Sequence, residues 1–224
     1  MAGQLESRFR DARAAEAGGY ALTVAGVMVA AGLVFHPMPS GGFAEKPSIL
    51  QNTWWWAPIH VDIALGFVLC VLGGLLVLVG GGIASRRWMS ALAWGSMTVG
   101  MIYFAGVALI NGWVLHRLAP YAVEQPILYD TMNQLMIGFG WLGNPLFLVG
   151  LSGLAALEVK HRDAGMSGAL AWFGLAVALL SWLRGVGSAT GWYFLEPFIV
   201  ANIPAFLWLA YYGWRISVIA RRET

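Results

Sequence analysis

The stretch WWWAPIHVDIALGFVLCVLGGLLVLVG, residues 54–80, decides the fold. From Ile63 to Gly80 it carries no charge, and a helix needs roughly 20 apolar residues to cross the hydrocarbon of a bilayer. The run therefore predicts a membrane-spanning helix. Trp54, Trp55 and Trp56 read as its anchor at the membrane surface, and Pro58 as a first-turn residue whose missing N–H costs nothing. Asp62, Gly66, Gly73 and Gly80 fall near one face, and a row of small residues lets a second helix approach closely. His60 and Asp62 stand where the chain enters lipid, either tolerated at a wet boundary or part of a site.

Five further runs of the same kind surround this one. Spans are predicted at about 19–38, 57–82, 90–115, 129–156, 168–190 and 193–215, the fourth long enough to tilt or to run past the bilayer. Of the 224 residues, 59% are hydrophobic and only 11% are charged, against about 25% charged in a soluble domain; the mean hydropathy is +0.69. The reading is an all-α integral membrane protein, a six-transmembrane-helix bundle. Residues 1–18 form a cytoplasmic N-terminal segment with an interfacial helix at 4–16, residues 19–217 the transmembrane domain, and residues 218–224 a cytoplasmic tail. The first run reads as a retained span and not a cleaved signal, because mixed charges precede it and no small-residue cleavage site follows.

Basic residues set the orientation. Arg8, Arg10, Arg13, Arg86, Arg87, Lys160, Arg162, Arg215, Arg221 and Arg222 fall on one side of the six spans, Lys46 and Arg117 on the other, and Arg184 within a span. The positive-inside rule then predicts both termini in the cytoplasm of a multi-pass bacterial inner-membrane protein. With a net charge of +2 and scattered cations, nucleic acid is excluded as a partner. The expected partners are the lipid bilayer and other membrane subunits or further copies of the chain. The one cysteine, Cys70, lies in an apolar run, which excludes disulfides and thiolate clusters.

The intramembrane polar residues crowd into the outer half of the bundle. His36 ends span 1, His60 and Asp62 open span 2, and Asn111 and His116 close span 3. Asp130, Asn133 and Gln134 open span 4, Arg184 lies near the outer end of span 5, and Glu196 opens span 6. Such groups are costly in lipid and face the bundle or water. Asp130, Asn133, Gln134, Ile137, Trp141 and Asn144 trace one helical stripe, expected to face inward, and Asn144-Pro145 should loosen that helix midway. Arg184 should pair with a carboxylate, Asp130 first and Glu196 second. The His-Pro exit of span 1 with Trp56-x-x-x-His60 resembles bacterial six-span proteins of unassigned role over about thirty residues, a resemblance that implies no activity.

Three histidines reaching one membrane level from three consecutive helices make a candidate cofactor site, since histidine is a standard ligand for metal ions and haem iron. In the haem b reading His60 and His116 clamp the iron. In the transition-metal reading His36, His60 and His116 supply nitrogens, and Asp130 or Glu196 completes or orients the set. Either version fits a redox subunit of a larger membrane assembly. Two other readings stand beside it: an accessory subunit whose polar cluster only locks the helices, and an enzyme on a lipid or isoprenoid using Asp130, Asp62 or Glu196 as a general acid. The chain holds no hydrolase nucleophile elbow, phosphate loop or zinc-protease motif.

Overall fold

A computed structural model describes residues 9–36, 46–82, 87–190 and 192–224, without the side chains of 188, 189, 193 and 196–198. Six helices are long and apolar enough to cross a membrane, and no strand occurs among the described residues. The main elements are α1 (Ala12–Phe35), α2 (Lys46–Asn52), α3 (Trp56–Gly80) and α4 (Trp88–Leu109). The chain of α4 continues through a π-helical stretch, Ile110–Leu115, into the short α5 (His116–Leu118) and a 3-10 turn, Ala119–Tyr121. Then come α6 (Pro126–His161), α7 (Gly168–Thr190), a 3-10 segment (Tyr193–Ala201) and α8 (Asn202–Arg221).

The helices form a ring. α1 packs between α8 and α3, α4 between α3 and α6, and α7 follows α6 and returns to α8. In lipid no hydrophobic force drives helices together, so close backbone approach carries the packing. The glycine row expected on α3 does this. A Cβ on Gly73 would stand 2.9 Å from the Gly18 carbonyl, and one on Gly80 would stand 2.8 Å from the Cβ of Ala15. Gly19 of α1 meets the Gly213 carbonyl of α8 in the same way, at 2.5 Å. Phe67, Phe104, Phe147 and Phe206 fill the centre with ring centroids 5.2 to 5.8 Å apart.

The two ends of the ring differ. At one, Asp11 caps α1 by accepting from Ala14 N–H at 3.0 Å, Arg87 pairs with Asp163 and Arg221 with Glu16, each at 2.9 Å. Glu158, fully buried there, accepts the N–H groups of Ala164 and Met166 at 2.8 and 2.7 Å. This end is thus less purely apolar than the sequence suggests. The other end carries a second small core of Leu50, Trp56, Leu115, Ala119 and Tyr129. There α2 lies as a lid, held by Gln51 Nε2 donating to the Ala119 carbonyl at 2.7 Å.

Several expectations change. Residues 12–16 belong to α1, not to a separate interfacial helix; residues 4–8 lie outside those described. α6 runs unbroken through Pro145 for 36 residues, about 54 Å. Trp56 is no surface anchor: it is 1% exposed, while Trp54 and Trp55 are 81% and 42% exposed. The stripe on α6 splits, with Asn133 buried, Ile137 and Asn144 half-buried, and Asp130, Gln134 and Trp141 exposed.

Candidate functional site

His36 terminates α1 in an extended conformation, φ −69° and ψ 121°, as its position before Pro37 requires. This turns its ring off the helix axis and onto α3. There Trp56 and His60, one helical turn apart, present parallel-leaning rings with centroids 4.6 Å apart. The His36 ring stands 5.2 Å from Trp56 and 4.8 Å from His60.

His60 is 3% exposed, and its hydrogen bonds define its tautomer. Nδ1 lies 2.8 Å from the Trp56 carbonyl. A carbonyl only accepts, so Nδ1 carries the proton and Nε2 presents a lone pair. Two groups converge on that lone pair: Asn111 Nδ2 at 2.9 Å and His36 Nε2 at 3.1 Å. Meanwhile Asn111 Oδ1 is buried with no hydrogen-bond partner among the described residues, and so is Nδ1 of the half-buried His116.

The π-helical stretch brings these groups into reach. Asn111 and Gly112 are its second and third residues, and the Asn111 carbonyl accepts the Trp56 indole N–H at 3.1 Å. A side chain on Gly112 would collide with the Cβ of His60, so only glycine lets α3 close here. In an α-helix Asn111 and His116 would point about 140° apart; a turn closed from i to i+5 brings them to within about 50°. His36, His116 and Lys46 all lie within electrostatic reach of the His60 ring.

Lys46 is the residue the sequence placed in a loop. It sits in α2, 7% exposed, and its Nζ donates to Asn133 Oδ1 at 3.0 Å and lies 3.8 Å from Met136 Sδ. Burial pushes its ammonium down from 10.5 to about 8. The unfolded chain holds this proton up to pH 10.5 but the folded one only to about 8. Stability should therefore rise across that window by about 3 kcal/mol. Denaturation of wild type and Lys46→Met in parallel checks this: the alkaline rise should vanish in the variant.

Of the other expected site residues, Asp130 and Arg184 do not join the histidines. Asp130 sits exposed on the second turn of α6 and pairs with no cation among the described residues. Arg184 is half-buried and its Nε has no partner among the described residues. Their separation has a plain cause. Gly185 of α7 faces Asn144, fourteen residues from Asp130, so about 21 Å of helix lies between them. The Glu196 side chain lies outside the described residues. Asp62, half-buried, lines an open apolar groove of about 580 Å³ with Phe35, Trp54, Trp55, Pro58 and Ile59. Sequence spacing pairs His60 with His116, whereas the fold sets His60 against His36. Among the described residues no three His, Cys, Asp or Glu side chains are grouped to hold a metal ion.

Comparison with protein-family models, with curated proteins and with solved structures gave no match.

Proposed function

We propose that this chain is a multi-pass protein of a bacterial inner membrane, both termini cytoplasmic, that holds a transition-metal ion between His36 and His60 near the outer face. One observation carries the reading: two imidazole Nε2 atoms meet at 3.1 Å, one on the buried His60 and the other on the half-buried His36. Two nitrogens on one ion, each at 2.0–2.1 Å and subtending 90–110°, stand about 2.9–3.4 Å apart. Anchoring of the far ring nitrogen by a carbonyl, as Trp56 anchors His60, is the usual support for a metal-bound histidine. His116, with its unpartnered nitrogen, is the nearest further imidazole.

A bare ion suits the place better than haem b. Two axial nitrogens on haem iron stand about 4 Å apart with a macrocycle between them, and here the His36 and Trp56 rings flank His60 within 5 Å. The ion would serve a redox assembly, and the exposed apolar face of α7, with Trp172, Leu179 and Leu183, is available to lipid or to a neighbouring subunit. The rival is a scaffold in which His36 simply donates to His60, tying the end of α1 to α3; its support is the absence of a third clustered ligand among the described residues.

Metal analysis of the purified protein separates the two. His36→Ala and His60→Ala should each lose a stoichiometric ion while still inserting and folding, and His161→Ala should keep it. If the wild type carries no ion and none can be reconstituted, the scaffold reading replaces this one; a Soret band would restore the haem version.

A further inference from the structure

We infer that Asn111 supplies the third protein ligand to the ion, through Oδ1; the inference rests on the metal reading just given. Its starting point is a mismatch at His60. One in-plane lone pair on Nε2 is approached by two donors, at 2.9 and 3.1 Å, while the oxygen of the same Asn111 amide is buried without a partner. An imidazole nitrogen accepts one good hydrogen bond, and a buried unpaired oxygen is destabilising.

A half-turn of the amide removes the double donation to His60 Nε2 and gives the oxygen a partner if a cation is present, while Nδ2 takes the place that the oxygen leaves. The amide oxygen and nitrogen have nearly the same shape, and their assignment follows from the surrounding network. With the two exchanged, Oδ1 would stand 2.9 Å from His60 Nε2, in the place now held by Nδ2. Without an ion two lone pairs would then face each other. With one they are adjacent ligands, because 2.9 Å is the separation of two donors at about 90° around an ion 2.0–2.1 Å away. His36 would turn its own Nε2 lone pair to the same point.

The local backbone is built to hold Asn111 there. Its carbonyl is held by the Trp56 indole, Gly112 beside it admits His60, and the π-helical turn aims the side chain at α3. Single π turns recur at functional sites for this reason. Two imidazoles and an amide oxygen are a neutral set of borderline hardness, suited to Zn²⁺, Fe²⁺ or Co²⁺ over the softer Cu⁺. Three protein ligands leave a coordination position open, as in catalytic and not structural sites.

Titration of the full-length protein in detergent with Co²⁺, read by its visible absorption, tests this. Asn111→Leu should weaken Co²⁺ binding by about tenfold or more. Asn111→Asp, which keeps the shape and adds a negative charge, should bind Co²⁺ at least as tightly as wild type with shifted bands. Should Asn111→Asp match the wild-type spectrum and affinity, or Asn111→Leu bind normally while His60→Ala does not, the inference is wrong and the two-histidine reading stands. A wild-type protein that takes up no Co²⁺ overturns both.

Discussion

Gly73→Leu should prevent the bundle from closing. A Cβ at Gly73 would stand 2.9 Å from the Gly18 carbonyl and 3.0 Å from Leu22 N, and a Cβ at Gly18 would meet the Gly73 carbonyl at 2.7 Å. Both contacts are with backbone, so no side chain can move aside, and α1 and α3 must separate along their whole length. α1 also holds α8, so the separation spreads around the ring. Overpacking of this kind costs about 3 kcal/mol or more. Gly95→Leu and Gly138→Leu are the controls: nothing lies within 4 Å of a Cβ at either position, and both should unfold like wild type in a detergent denaturation series. Equal stability for Gly73→Leu would mean that α1 and α3 do not pack through their glycines.

The second large effect is expected at Gly112. A methyl group there overlaps the Cβ of His60 and comes within 2.8 Å of its Cγ. The contact lies at the start of α3, thirteen residues and so about 20 Å along that helix from the Gly18–Gly73 approach, so Gly112→Ala should insert and fold. It should nevertheless push His60 out of register with His36 and Asn111 and abolish ion binding. Retention of a full complement of metal in Gly112→Ala would show that the close approach of α3 to the π turn has no part in the site.

The helices and their glycine seams are legible in the sequence because both rest on local pattern: long charge-free runs, and small residues repeating on one face of α3. The meeting of His36 with His60 is only half legible. Pro37 forces His36 out of helix geometry, but the direction it then takes depends on the tilt of α1 against α3. The π turn escapes periodicity reading because one extra residue per turn leaves an apolar run apolar; the Asn111-Gly112 pair, a turn signal inside a span, was the available clue. The burial of Trp56 and of Lys46 is not legible for one shared reason. Their burial depends on α2, whose seven residues are too few to register as a helix, yet which covers the second core around Leu50 and Trp56. The expected Asp130–Arg184 pair fails on length: α6 begins at Pro126, and Asp130 lies fourteen residues along it from Asn144, the residue that faces Gly185 of α7.

X-ray absorption on the metal-loaded protein, with His60→Ala beside it, tests the central claim most directly. The first shell should contain imidazole scattering from two histidines and one further oxygen at about 2.0–2.2 Å, and the His60→Ala protein should lose the ion or half of the imidazole signal. A bound ion with no histidine in its shell, or a wild-type protein that cannot be loaded at all, would contradict a metal centre between His36 and His60.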